Sequence, residues 1–409
     1  MGWTAEQISA INEKNGNILV SAAAGSGKTA VLVERIIKLI TDEENPVDID
    51  RLLVVTFTKA AAAEMKERIG AAVNLALREN PNSANLRRQS VLLNHADITT
   101  IHSFCLRVAR ENYNRLGIDP TFRVADDTEI LLLQDEIMDS LFEDNYASDD
   151  PEGFLYMVEN YSDGTSDKKL RELVLKVFNF IRSYPDPKGW IEKQKAAYLK
   201  DSGLWFDILK EQISAYVKGA LELTKNALEI ANSTGPETYI PMLVSDIEKM
   251  EYILEGAGFK DFYSRVLNMS FDRLSTKKCE SSTKEKVKYL RDRSKKIFAN
   301  INSKFLLRDP DNMLDDIKNA GYGICLLLDL VSEFSLRFDE EKKQRRIADY
   351  SDLEHYCLKV LIDEESTVEN PVKSQAAKEL TEKYAYVMTD EYQDSNAVQE
   401  LILSLVSSE

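Results

Sequence analysis

The sequence has 409 residues, 44% hydrophobic and 30% charged, with a net charge of −17. At about 150 residues per domain that length implies two or three domains, and the composition is that of a globular protein rather than a disordered one. The charge excludes a protein whose whole surface coats nucleic acid, but leaves room for a local basic groove.

In chain order, residues 17–22 (NILVSA) read as a short buried strand ending in a glycine loop. Helical periodicity follows at once, with Val33, Ile36, Ile37 and Ile40 on one face. Residues 51–57 (RLLVVTF) are a second strand, continuously apolar as a parallel sheet requires. Residues 59–77 are strong helix formers. Residues 97–101 (DITTI) read as a third strand, and 102–116 as a helix that stops at Gly117. Strand, loop and helix in repetition predict an α/β fold with a parallel sheet and crossover helices.

From about 120 to 345 long helical patterns dominate, interrupted by loop signals at 183–190 and 232–239. Residues 126–152 hold eleven acidic and no basic residues, which reads as a solvated helix or a partner surface. Residues 277–296 hold nine basic and three acidic residues, most simply a solvated helix face. Residues 349–361 read as a helix capped by Asp349 or Ser351. Residues 384–394 (YAYVMTDEYQD) then form a strand running into two carboxylates. The α/β part is thus expected to be interrupted by a helical insertion.

The cysteines Cys105, Cys279, Cys325 and Cys357 are too scattered for a zinc or redox pair, and no disulfide framework is expected. The N-terminus lacks a basic region followed by an apolar core. The most apolar stretch, 320–331, contains Asp329 and is shorter than the roughly 20 residues that cross a bilayer. A cytoplasmic protein without membrane contact is the expectation.

The chemistry centres on SAAAGSGKT (21–29), which nearly fits a phosphate-binding loop. Ala22 stands where that pattern has its first glycine. Gly25-Ser26-Gly27 between strand and helix offers backbone N–H groups to an anion. Lys28 is placed to reach the β- and γ-phosphates of ATP, and Thr29 to hold Mg²⁺. Ala22 is harmless if the loop opens there at negative φ, leaving the unusual backbone angles to Gly25 and Gly27. Asp390, at a strand end, is a second Mg²⁺ ligand, and Glu391 can orient and deprotonate the attacking water.

With these motifs the sequence resembles the UvrD/Rep-type helicases of superfamily 1, where alanine commonly replaces the first loop glycine. WTAEQ (3–7) is similar to the family's Q motif, which implies that Gln7 reads adenine. Ala22, Ala23, Ala24, Gly25, Ser26 and Gly27 belong to the nucleotide loop by the same resemblance. VVTFTKAAAAEM (54–65) is similar to motif Ia and TTIHSFC (99–105) to motif Ib, parts of the family's single-strand track. The resemblance implies that Phe57 stacks on bases and that Thr58, Thr100, His102 and Ser103 contact the DNA backbone, while Lys59 beside them either adds a phosphate contact or only changes local solvation. It implies that Gln393 senses the γ-phosphate, and it sets the 277–296 run beside duplex DNA. Lys59 departs from the family's usual asparagine, and Thr389 from its usual apolar residue.

Residues 18–36, 87–105 and 349–361 further resemble the AddA family of helicase–nuclease subunits, which implies an AddB-like partner. The expected layout is a RecA-like ATPase domain in 1–120 and 346–409, with a helical inserted domain at 121–345. The second RecA-like domain and the nuclease are expected in a longer protein. The expected function is ATP hydrolysis coupled to 3′–5′ movement on single-stranded DNA in break repair. A stand-alone UvrD/PcrA-type helicase, or a non-motor DNA-binding module that keeps a nucleotide loop, remain alternatives.

Overall fold

The structure is a computed structural model that describes residues 2–14, 16–23, 25–42, 44–162, 166–199, 202–276, 283–367 and 370–408. The first helix, α1 (Ala5–Asn12), starts at a capping box in which Thr4 accepts from the Gln7 backbone N–H and the Gln7 side chain accepts from that of Thr4. The glycine loop leads into α2 (Lys28–Thr41). Strand β1 (Leu52–Thr56) follows, then α3 (Lys59–Glu79), α4 (Ala84–Leu92), β2 (Asp97–Thr100) and α5 (Ile101–Glu111). The expected single helix over 102–116 is split at Asn112. A short α6 (Tyr113–Leu116) ends at Gly117, whose φ of 66° is the left-handed stop that glycine allows.

Beyond β3 (Arg123–Val124) come α7 (Asp127–Tyr146), α8 (Glu152–Tyr161), α9 (Lys168–Ile181) and α10 (Pro187–Leu199). Next are α11 (Ser202–Thr234), α12 (Ile240–Leu254), α13 (Phe259–Leu267), α14 (Lys284–Phe305) and α15 (Pro310–Arg345). The chain returns through β4 (Ile347–Ala348), α16 (Tyr350–Leu361), α17 (Gln375–Lys383), β5 (Tyr386–Thr389) and α18 (Ala397–Val406). The loop expected over 183–190 is shorter than its proline and glycine content implied. Pro187 tolerates the first position of α10, where its missing N–H costs nothing.

The main sheet is parallel, in the order β2-β1-β5. All five residues of β1 are buried, as its continuous apolar run requires. Alternate residues serve opposite faces. Leu52 and Val54 pack with Ile36, Ile40, Met65 and Ile69 of α2 and α3. Leu53 and Val55 pack with Phe104, Val108, Leu358 and Ile402 of α5, α16 and α18. The strand expected at 17–22 does not form: these residues have no regular structure, and Leu19 is 78% exposed. The run pairs with neither edge strand of the sheet, β2 or β5.

At the amino ends of the strands, the buried Asp97 accepts from Lys383 (2.8 Å) and Tyr384 (2.6 Å), and pairs with Arg107. Burial works against its charge, but these hydrogen bonds outweigh it and hold its pKa below the ordinary value.

The helical excursion leaves after β3 and returns at β4, and these two strands pair in parallel. The compact units divide elsewhere. One comprises residues 1–190 and 330–409, the other 191–329, so these limits do not coincide with the expected 121 and 345. In the first unit the acidic α7 is not merely solvated. Arg123, Arg171, Arg337 and Arg345 pair with Glu129, Asp139, Asp144 and Glu136. Arg182 and Lys342 both bind Asp349 and Asp352 at the start of α16, where Asp349, not Ser351, is the cap.

The second unit is helical and centred on α11, α12 and α14. Its core holds a buried pair in which Arg291 Nε donates to Asp246 at 2.6 Å and Arg291 Nη2 donates to the Asp272 carbonyl. Of the basic run, residues 277–282 lie outside the described residues. The rest belongs mainly to α14, where Arg291 faces inward rather than toward solvent.

Candidate functional site

The phosphate loop owes its shape to two glycines. Gly25 has φ 77° and Gly27 φ 84°, angles that a Cβ disfavours. Ala22 is not among the residues of positive φ, so the absent first glycine leaves no strain. The loop turns through a Ser26 N–H to Ala23 carbonyl bond of 3.3 Å. Ala24 lies outside the described residues. Gly27 precedes α2, whose amino end no side chain caps, so its first-turn N–H groups are left for an anion. Lys28 Nζ donates to the Ala22 carbonyl at 2.8 Å, a neutral acceptor that an anionic phosphate oxygen can replace. Gln7 Nε2 donates to the Ser26 carbonyl at 3.1 Å, which ties α1 to the loop.

The other half of the site stands at the carboxyl end of β5. Asp390 is set there by its N–H bond to the Val55 carbonyl, 2.9 Å. Thr29 Oγ1 donates to Asp390 Oδ2 at 3.1 Å. The two oxygens expected to share a Mg²⁺ ion are therefore neighbours, a donor set that suits an ion completed by phosphates and water. The adjacent Glu391 has φ 57°, left-handed for a non-glycine residue, and its carboxylate accepts from Gln393 Nε2. Such strain costs about 1–2 kcal/mol and points to function when it falls beside a ligand site. Phe57, 63% exposed, lines a small cleft with Thr389, Asp390 and Glu391.

The remaining candidates lie at helix starts after β1 and β2. Thr58 Oγ1 caps α3 by accepting from the Ala61 N–H, and Lys59 is the first residue of that helix. Thr100 Oγ1 caps α5 and lies 2.9 Å from Ser103 Oγ. His102, in the first turn of α5, is oriented by a tilted contact with the Tyr350 ring at 4.7 Å and by Glu354. All of these groups occupy the carboxyl ends of parallel strands, where ligands of open α/β sheets bind.

The motifs do not single out Glu354, which the structure places at the centre of this group. Its carboxylate is buried and meets His102 Nε2 (3.0 Å), Gln399 Nε2 (2.6 Å) and Asn396 Nδ2 (3.0 Å). Burial disfavours its charge, but hydrogen bonds from His102, Gln399 and Asn396 prevail and hold its pKa below the ordinary value. A signal is present in the sequence: Glu354 sits on the same helical face as Cys357, Leu358 and Leu361, where a carboxylate must have partners.

Residues 3–409 match the family described as the UvrD/REP helicase N-terminal domain, and the chain belongs to that family. The A subunit of the ATP-dependent helicase/nuclease of Clostridium botulinum (strain Alaska E43 / Type E3) is 44% identical, over 99% of this chain and 33% of the relative. Proteins of the same name from Lachnoclostridium phytofermentans and Desulforamulus reducens are 41% and 42% identical, again over 99% of this chain, and over 30% and 34% of the relatives. The chain thus spans about a third of the length of these relatives. The resemblance read from the motifs is borne out. Among the described residues no helix is long and apolar enough to cross a membrane.

Proposed function

We propose that the chain is the amino-terminal motor part of an ATP-dependent DNA helicase, which couples ATP hydrolysis to 3′–5′ movement on single-stranded DNA in double-strand break repair. The observation that carries the reading is the Thr29–Asp390 bond, which joins the phosphate loop to an acidic strand end 361 residues away. On this reading residues 1–120 and 346–409 are a RecA-like ATPase domain and 121–345 its inserted domain. Lys28 leaves the Ala22 carbonyl for the β- and γ-phosphates, while Thr29 and Asp390 hold Mg²⁺. The bound metal and nucleotide supply charge neutralisation and the bond to be broken. Glu391 orients the attacking water and takes its proton, and Gln393, already bonded to Glu391, reports the γ-phosphate. Gln7 reads the adenine edge.

DNA runs past Phe57, which stacks on a base, and past Thr58, Lys59, Thr100, His102 and Ser103 on the backbone. Duplex DNA and an AddB-like partner complete the cytoplasmic assembly, and the nuclease belongs to another part of the full-length protein. Lys28→Ala in that protein is expected to lower DNA-stimulated phosphate release by at least about 100-fold, as loss of one preorganised charge-stabilising group does. Retained turnover would overturn the assignment.

A further inference from the structure

We propose that Glu354 is a positioning residue that couples DNA contact at His102 to the nucleotide-hydrolysing segment 390–396; this rests on the helicase reading above. Three side-chain donors from two other elements converge on one buried carboxylate. His102 comes from the start of α5, on the proposed DNA side. Asn396 and Gln399 come from the start of α18, directly after Gln393. Gln399 also lines the cleft that contains Asp390 and Glu391, so the carboxylate lies one side chain from the reacting region.

The geometry allows little slack. Asn396 Oδ1 accepts from the Gln399 N–H at 2.8 Å to cap α18, which fixes its amide with Nδ2 toward Glu354. Glu354 Oε1 accepts from both His102 and Gln399. His102 Nε2 then carries a proton, and the ring is held between Glu354 and the Tyr350 ring. A shift of 390–396 on nucleotide binding moves Asn396 or Gln399, and the shared carboxylate passes that shift to the His102 ring. A glutamine at 354 keeps the shape but not the charge or the bond directions. The Asn396 cap forces its oxygen toward Nδ2, so its NH₂ group faces His102 and Gln399, and both must reverse from donor to acceptor, which changes the proton held on the imidazole ring.

The test measures ATP turnover of the full-length protein with and without saturating single-stranded DNA. Saturation removes differences in affinity and leaves the stimulation factor as the readout. Glu354→Gln is expected to lower that factor about tenfold, in the range of ordinary coupling between sites. In a His102→Ala background the same change is expected to do nothing further, because the link is already cut. Should Glu354→Gln fail to fold, Gln399→Met decides, since it removes one donor and leaves the carboxylate with two; a several-fold drop is expected. A stimulated wild-type protein in which the folded variants stay within twofold overturns this inference alone. Independent, multiplying effects of the His102 and Glu354 changes overturn it as well. A wild-type protein with no DNA-stimulated turnover overturns the helicase reading itself.

Discussion

Gly27 and Ala22 occupy the same loop but carry different burdens. With φ at 84°, Gly27 resists any side chain by about 1–2 kcal/mol, and the nucleotide must meet that loop undistorted. Ala22 adopts an ordinary conformation and offers its carbonyl to Lys28. Ala22→Gly is therefore expected to leave nucleotide affinity within about twofold, and Gly27→Ala to weaken it at least about tenfold, as read by calorimetric titration. Equal losses would refute this account of the loop. Glu391 presents the converse case, a side chain proposed to activate water on a backbone that suits glycine. Glu391→Gly should abolish hydrolysis while the melting temperature stays level or rises. A lower melting temperature would show that the left-handed conformation is not strained.

At the scale of elements, caps and buried pairs decide which helix begins where. Asn396 both caps α18 and satisfies Glu354, so Asn396→Ala removes a cap and strands a buried carboxylate oxygen. A loss of about 2–3 kcal/mol is expected from the midpoint of urea unfolding. In the helical unit, Arg291 and Asp246 are almost wholly buried, 1% and 0% exposed in their side chains, yet Arg291 Nη1 and Asp246 Oδ1 have no hydrogen-bond partner. Arg291→Met alone leaves an unpaired buried carboxylate and should cost about 3–5 kcal/mol. Adding Asp246→Leu should recover most of that loss, because two apolar residues of similar volume need no partners. Failure of the double variant to recover would mean that the pair contributes specificity that apolar packing cannot replace.

At the scale of the whole molecule, the acidic excess is organised rather than spread. Much of the charge on α7 is answered by arginines from neighbouring segments of the same unit. Among the buried carboxylates with depressed pKa values in the folded state are Asp97 and Glu354. The unfolded values are about 3.9 and 4.3, so both groups favour folding above that range. Their contribution is lost as pH falls through the lower folded values, below about pH 4. Acid unfolding followed by circular dichroism should therefore steepen below pH 4, and Asp97→Asn should flatten that slope while lowering stability at neutral pH. An unchanged acid slope would show that Asp97 is equally protonated in both states.

The sequence by itself determined the elements that are local in origin. A four-residue apolar run, Leu52–Val55, makes most of a parallel strand, two glycines around a serine make a tight loop with left-handed angles, and a DE pair stands at the end of an apolar strand. Family motifs then named the chemistry. Tertiary structure decided whatever depends on a neighbour. The run at 17–22 is apolar enough for a strand but pairs with neither edge strand of the sheet. Glu354 looks like a charge on a helix until three donors from distant segments surround it. The physical reason is the same in both cases: periodicity reports which face a residue takes, while hydrogen bonds and charge pairs are completed by groups that only the fold brings together.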